Sequence, residues 1–307
     1  VITDLSSEEY HGWDGTYSSS QLKDALEDIE IFYKKYIVKE IPREDLPAFD
    51  IGTYFHTLVL EPHLIEEECA VYDGVRRGKN WDAFKEVHKG KAIVSVKQKE
   101  QATKLAEAAL NSTVFQDLFN NTTPEVSCFL TLLVDIEKEE IYTHDMEYHL
   151  TRNGFEFTGF NDAITVNNPY YITVKARSDI MGKYEEGNKG YIVDLKSTTG
   201  NAKEVMGVRK KISRYMYDLS AAYYLDIFTA VYGIPFDKFY WTFASKDFGN
   251  CKTYLASHSN VLIGRAKWKK AIIEIAKAEK NGWKFKDTLE ILEPEMYQLE
   301  WIKKEEK

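Results

Sequence analysis

The stretch ARSDIMGKYEEGNKGYIVDLKST, residues 176–198, contains two apolar runs on either side of the polar segment EEGNKG. This pattern is typical of two antiparallel strands joined by a turn. Residues that face each other in an antiparallel hairpin have numbers with a constant sum. Because 179 plus 194 places the midpoint between Glu186 and Gly187, inside this segment, the sequence predicts that Asp179 and Asp194 face each other.

The second strand of this hairpin carries a lysine close to the two acids. Side chains alternate along a strand, so Asp194 and Lys196 are expected on one face together with Ile192. The opposite face is expected to carry the intervening side chains: Tyr191, Val193 and Leu195. Carboxylates that converge repel each other unless a cation lies between them, and Mg²⁺ prefers carboxylate oxygens while keeping positions for water and phosphate oxygens.

These residues therefore indicate a metal site. Its lysine would orient or deprotonate an attacking water, or offset charge on a phosphate. Taken alone, an Asp-x-Lys pattern on a strand is more often a salt bridge on a solvated face. The interpretation consequently needs support from elsewhere in the chain.

Composition limits the class of protein. The chain has 307 residues, of which 44% are hydrophobic, enough for a large core. The formal charge of -9 argues against coating nucleic acid by bulk attraction but allows a local basic groove. No apolar run is long enough for a membrane helix, and the acidic first residues do not resemble a signal peptide, so we expect a cytoplasmic protein, in the host cell if phage-encoded. The three separated cysteines indicate neither a disulfide framework nor a four-thiolate cluster.

Periodicity predicts one α/β domain over residues 1–307, without a repeat or linker. Its helical N-terminal part, 1–65, begins with a helix of about five turns after the serines at 18–20 and continues with a second helix that ends near Pro62. The sheet core is expected over 120–260, including a long helix over 215–231. A C-terminal helix and a charged tail follow.

Several segments resemble a known nuclease superfamily. ARSDIM and IVDLKST are similar to the D…(D/E)-x-K core of the PD-(D/E)XK nucleases, and GTYFHTLVLEP resembles the G-T-x-x-H helix of their RecB and RecE branch. Within that branch, the chain resembles the RecE type, exonuclease VIII. EEYHGWDGTYSSSQL resembles the opening of that family and RRGKNWDAFKEVHKGK its basic segment, so ordered motifs span most of the chain. The resemblance implies a mixed central β-sheet flanked by helices.

By position, the resemblance implies that His56, Asp179 and Asp194 hold the metal, that the Leu195 carbonyl completes its shell, and that Lys196 serves the nucleophile. Glu125 matches a family acid near the same site. Without the resemblance, a lone histidine in an apolar helix is more often a hydrogen-bonded core residue, and an acid in TPEVS is equally a strand-edge residue or a helix cap.

The sequence departs from the family at two places: the loss of a glutamine concerns contacts to the DNA strand, and the loss of a proline concerns the local turn before Asp179. Arg177 and Ser220 are nevertheless among the residues expected to contact DNA. The family pattern Q-x-x-x-Y is represented by Ser220 and Tyr224, and Ser178 replaces the proline that follows Arg177 in the family. Tyr224 belongs to the implied catalytic set, although a helix-packing role suits it almost as well. Basic residues that could hold phosphates, or simply be solvated, form two clusters: Arg76, Arg77 and Lys79, then Arg209, Lys210, Lys211 and Arg214.

The function implied is that of a Mg²⁺-dependent exodeoxyribonuclease, with Mn²⁺ as a substitute, that degrades linear double-stranded DNA from 5′ to 3′. The 3′ single strands would pass to an annealing partner in phage-type recombination, and the enzyme would form a homo-oligomeric ring of three or four chains. The alternatives are a structure-specific endonuclease on the same core and a non-catalytic DNA-binding recombination subunit. The intact acids and Lys196 weigh against the latter.

Overall fold

The computed structural model describes residues 1–2, 5, 7–42, 47–158, 166, 168–184 and 188–285. The helices are α1 (Ser7–Gly12), α2 (Ser19–Glu27), α3 (Ile29–Phe32), α4 (Pro47–Leu60), α5 (Ile65–Glu68), α6 (Lys79–Val87), α7 (Val96–Leu110), α8 (Thr113–Phe119), α9 (Val205–Arg214), α10 (Tyr217–Tyr232) and α11 (His258–Lys280). A π-helical turn covers Tyr33–Ile37 and a 3₁₀ turn covers Pro62–Leu64.

The strands are β1 (Thr16–Tyr17), β2 (Cys69–Tyr72), β3 (Ala92–Ser95), β4 (Thr123–Asp135), β5 (Glu140–Thr143), β6 (Tyr148–Thr151), β7 (Gly154–Phe157), β8 (Tyr170–Lys183), β9 (Gly190–Thr198), β10 (Phe236–Ser245) and β11 (Cys251–Leu255). The large sheet has the order β11-β10-β9-β8-β4-β5-β6-β7, with β1 paired to β8, and β2 pairs with β3 in a separate sheet. Most neighbours are antiparallel, but β9 and β10 are parallel because α9 and α10 connect them.

Helices pack on both faces of this sheet and bury two cores. The first core lies against α2, α10 and α11 and includes Leu22, Phe32, Val174, Phe228, Trp241 and Trp268. The second lies against α4 and α7 and includes Phe55, Leu105, Phe115 and Ala244. Strand β9 separates them as its alternation predicts, since Ile192 belongs to the first core and Tyr191, Val193 and Leu195 belong to the second. The predicted mixed sheet flanked by helices, with a helical N-terminal part, is therefore confirmed.

The prediction of one five-turn helix after the serines was wrong. Helix α2 ends at Glu27, because Asp28 adopts an extended backbone with φ -160° and ψ 109°. The Asp28 carboxylate accepts hydrogen bonds from the backbone N–H groups of Glu30 and Ile31, both at 2.9 Å. An aspartate that satisfies the free N–H groups of a helix start favours a new helix over continuation of the old one.

The N-terminal segment is fixed to the sheet close to the hairpin acids. Strand β1 runs parallel to β8, so the chain leaves β1 toward the end of β8 that carries Asp179, and α2 begins there. The buried ammonium of Lys175 donates to the carbonyls of Tyr10 and Trp13, at 2.8 and 3.1 Å. The hydroxyl of Tyr223 donates to the carbonyl of Tyr17 at 3.0 Å. These contacts place α2 over the sheet.

The second N-terminal helix and the long helix predicted over 215–231 agree with the structure. Helix α4 ends at Leu60, just before Pro62, and α10 covers the predicted long helix. The turn predicted around residues 186 and 187 and the charged tail lie outside the described residues. Among the helices of the described ranges, none combines the length and apolar character that a membrane span requires.

Candidate active site

Three acids lie in line across three neighbouring strands. Strand β8 pairs with β9 through Ile180 and Val193, so the next position places Asp179 opposite Asp194. Strand β4 pairs with β8 on both sides of Glu125, through Pro124 with Ile180 and Val126 with Ser178. This register places Glu125 opposite Asp179. The predicted pairing of Asp179 and Asp194 is therefore extended by a third acid from β4.

Glu125 has an unusual backbone. Its φ of +52° lies in the left-handed region, and the regular pairing of β4 with β8 is interrupted at this residue. A non-glycine residue in such a conformation costs on the order of 1–3 kcal/mol, and such residues cluster at functional sites. The carboxylate Oε2 accepts a hydrogen bond from Arg177 Nε at 2.6 Å. This pair fixes the direction of the Glu125 side chain.

Helix α4 brings His56 to the same acids. Phe55 is fully buried in the second core and fixes the rotation of the helix. A cavity lies between α4 and the three acids. The residues of α4 that line it follow helical spacing: Gly52, Thr53, His56, Thr57 and Leu60. His56 Nδ1 lies 3.8 Å from Asp179 Oδ2.

One ligand atom from each of His56, Glu125 and Asp179 lies within 4.8 Å of the other two. Burial, followed by the charge of Asp179, raises the pKa of Glu125 to about 8, although Arg177 opposes the shift. A cation among these groups would offset the repulsion between the carboxylates. Two carboxylates and an imidazole are suitable donors for a divalent ion, and a carboxylate bonded to arginine through one oxygen retains the other for a metal. The residues therefore fit a divalent metal.

Asp194 and Leu195 lie beside the group of His56, Glu125 and Asp179 and make other contacts. The Asp194 carboxylate accepts from Lys196 Nζ at 2.6 Å, and it does not belong to the close group. The backbone N–H of Leu195 donates to Asp179 Oδ2 at 2.6 Å, while its side chain is fully buried. Glu125 thus joins His56 and Asp179 in the close group, and the assignment of Asp194 to the metal stays a prediction.

The charge state of Lys196 bears on its role. Burial would lower the pKa of its ammonium, but the charges of Asp194 and Asp179 outweigh burial and raise it. Burial raises the pKa of Asp194, and Lys196 opposes that shift. In this arrangement Lys196 is an ammonium that is suited to orienting a water or offsetting phosphate charge. It is not poised to take a proton.

These groups share a cavity of about 440 Å³. Besides the acids, His56 and Lys196, its walls include Arg177, Ser220 and Tyr224 from the sequence prediction. The Ser19 hydroxyl donates to the Tyr224 hydroxyl at 3.5 Å, and burial raises the pKa of Tyr224 to about 12. A second groove of about 640 Å³ beside α7 and β11 contains none of the predicted site residues.

The structure does not bring the two basic clusters to this cavity. Arg76 donates to the carbonyl of Ile93 at 2.6 Å and to the amide oxygen of Gln98 at 2.8 Å, so it supports the local fold. Lys211 donates to Thr198 Oγ1 at 2.5 Å. The other members of the clusters are exposed and lie away from the cavity walls: Arg77, Lys79, Arg209, Lys210 and Arg214. Their contact with DNA stays a prediction.

Sequence reasoning missed several side chains of the cavity. Tyr10 lies beside Arg177, whose guanidinium carbon is 5.7 Å from the tyrosine ring centroid. Lys23 and Tyr217 line the wall next to Lys196. The available signal was the four-residue spacing of Ser19 and Lys23, which puts both on one face of α2. Nothing in the sequence indicated that this face would cover the hairpin.

Comparisons with known proteins bear on the fold and the family. A crystal structure described as "Putative exonuclease" from Eubacterium rectale is similar, with a TM-score of 0.57, 13% identity and coverage of 98% of each chain. A crystal structure of SSO0001 has a TM-score of 0.25 and 12% identity, covers 82% of this chain and 84% of its own, and carries no argument. The search of curated proteins found no match.

Most of the chain matches a known family of domains. A family model described as "PDDEXK-like domain of unknown function (DUF3799)" matches residues 18–286, a range that includes each acid, His56 and Lys196. Such domains support nuclease activity and hence contact with DNA. Since the model matches most of the chain, this protein belongs to the family of PDDEXK-like domains.

Proposed function

We propose that the protein is a Mg²⁺-dependent exodeoxyribonuclease that hydrolyses linear double-stranded DNA. The observation that carries this proposal is the line of three acids across β4, β8 and β9, with His56 and Lys196 at the same cavity. Membership of the PDDEXK-like family supports phosphodiester hydrolysis. The likeness to a protein described as "Putative exonuclease" favours the exonuclease over an endonuclease.

The metal is proposed to be held by His56, Glu125 and Asp179, with Asp194 and the Leu195 carbonyl completing its shell. A bound divalent ion polarises a phosphate and lowers the pKa of a water. Lys196, an ammonium beside Asp194, orients the attacking water and offsets the charge that develops on the phosphate.

Arg177 supplies a further contact to the substrate. It lines the cavity, and its buried Nη1 has no acceptor within the described ranges of the chain. A guanidinium with an unused donor is suited to a phosphate oxygen. Tyr224 and Ser220, which line the same cavity, are proposed to position the strand.

Among exonucleases, we assign the protein to the RecE type. The ordered motifs from the N-terminal opening to the catalytic hairpin support digestion from 5′ to 3′ and transfer of the 3′ single strand to an annealing protein. Replacement of the family glutamine by Ser220 affects contacts to the strand and leaves the acids and Lys196 intact.

One assay tests the proposal against its two alternatives. The purified protein is incubated with linear and with covalently closed circular duplex, in Mg²⁺ and in EDTA. We expect Mg²⁺-dependent loss of the linear DNA alone. Nicking of the circle would indicate an endonuclease, and binding of DNA without cleavage would indicate a non-catalytic subunit.

A further inference from the structure

A second lysine, Lys23, lies at the wall of the active-site cavity. It belongs to α2, and the cavity walls beside it carry Lys196 and Tyr217. Lys23 Nζ lies 5.3 Å from the centroid of the Tyr217 ring, and Lys196 Nζ lies 5.6 Å from the same centroid. The two ammonium groups therefore contact the same tyrosine ring at the wall of the cavity where a phosphate is expected.

Lys23 differs from other partly or fully buried lysines in this part of the molecule. Lys196 donates to Asp194 at 2.6 Å, Lys267 donates to Asp218 at 2.7 Å, and Lys175 donates to two backbone carbonyls. Lys23 is partly buried, and the described residues show neither a hydrogen bond nor an ion pair from its Nζ. Its contact with the Tyr217 ring leaves the donors of the ammonium unused.

The electrostatic surroundings of Lys23 favour an anion. Burial, followed by the charge of Lys196, lowers its pKa to about 8, while Asp194 and Asp218 act in the opposite direction. Both of these acids are already bonded to other lysines. An anion that entered the cavity would restore the interactions that Lys23 lost with water.

We propose that Lys23 binds a phosphate oxygen of the DNA strand in the active-site cavity, beside the phosphate that Lys196 contacts. This inference rests on the proposed nuclease function and assigns a substrate-binding residue to it. The long, flexible lysine side chain acts as a point charge, which suits a phosphate whose position changes as the strand advances. Because Lys23 is a binding residue, its loss should weaken association with DNA even where no cleavage occurs.

The test measures binding of Lys23→Met to a short linear duplex by fluorescence anisotropy, in Ca²⁺ and in EDTA, over a series of salt concentrations. Methionine keeps the apolar packing on Tyr217 and removes the charge. We expect the variant to bind about 3- to 30-fold more weakly at low salt, and the slope of log affinity against log salt to be shallower by about 0.9, as for one lost phosphate contact. Lys23→Arg should restore most of the affinity and slope.

Lys99→Met is the matched control, because Lys99 is exposed on α7, outside both cavities. It makes the same change in net charge and should leave affinity and slope unchanged. Lys23→Gln serves as a second neutral variant if Lys23→Met does not fold. A slope equal to that of the wild type in the folded neutral variant, whether or not its thermal stability falls, would overturn the assignment.

The outcome also separates this inference from the proposed function. A wild-type protein that cleaves linear DNA while the neutral Lys23 variant binds normally would overturn the inference alone. A wild-type protein that neither binds nor cleaves DNA would overturn the proposed function and the inference with it.

Discussion

At the scale of single residues, three features of the surrounding structure constrain Glu125. Its left-handed backbone, its position opposite Asp179 and its bond to Arg177 all place the carboxylate beside His56. A conformation that is costly in itself persists because the neighbouring strand pairs fix it. The carboxyl is consequently held where its charge is unfavourable without a cation.

The raised pKa of Glu125 makes a prediction for the metal-free protein. The folded chain keeps the Glu125 proton up to about pH 8, whereas an unfolded chain releases it near the ordinary value of 4.5. Between these values the folded state binds more protons, so this carboxyl makes the free energy of unfolding fall as pH rises. The Glu125→Gln variant lacks this contribution, so its free energy of unfolding should change less with pH. The free energy of unfolding is measured by urea denaturation in EDTA at pH values from 5 to 8.5.

The control is Glu100→Gln, because Glu100 is exposed on α7. Its pH profile should follow that of the wild type. Parallel profiles for the wild type and Glu125→Gln would contradict the raised pKa.

At the scale of helices and strands, the sequence predicts local geometry better than long-range contacts. The pairing of Asp179 with Asp194 follows from the constant sum of facing residue numbers in a hairpin, because β8 and β9 are consecutive strands. Strands β4 and β8 are separated along the chain by β5, β6 and β7, so no local rule gives their register. The place of Glu125 opposite Asp179, and of Lys23 over the hairpin, therefore became visible only with the fold.

The break between α2 and α3 gives a prediction for the N-terminal part. Asp28→Ala removes both side-chain hydrogen bonds to the start of α3 and should lower the free energy of unfolding by about 1 kcal/mol. Asp28→Asn keeps an acceptor and should remain close to the wild type. Urea denaturation of the wild type and the two variants measures the free energy of unfolding. An equal decrease in both variants would assign the effect to the lost charge rather than to capping.

At the scale of the whole molecule, the charge distribution raises the question of how DNA is retained. The net charge is -9, and the exposed basic clusters lie away from the cavity. A protein with few phosphate contacts loses affinity steeply as salt rises. A closed ring that surrounds the duplex would retain it through many cuts without net attraction.

From the resemblance to the RecE type we predict a ring of three or four chains and processive digestion. Light scattering should give the mass of three or four chains, and digestion should continue after a DNA trap is added to preloaded complexes. A monomer at working concentration, together with immediate arrest by the trap, would exclude the ring. That result would leave the assignment of the nuclease site unchanged.

The most direct test of the nuclease site is the single-turnover rate of linear duplex cleavage in Mg²⁺. Lys196→Met removes the ammonium beside Asp194, and Asp179→Asn removes a charge at the metal group. Both changes should lower the rate at least about 100-fold, while circular dichroism remains close to that of the wild type. Lys99→Met should cleave normally. A rate within about tenfold of the wild type in a folded Lys196→Met or Asp179→Asn protein would contradict the assignment of the active site.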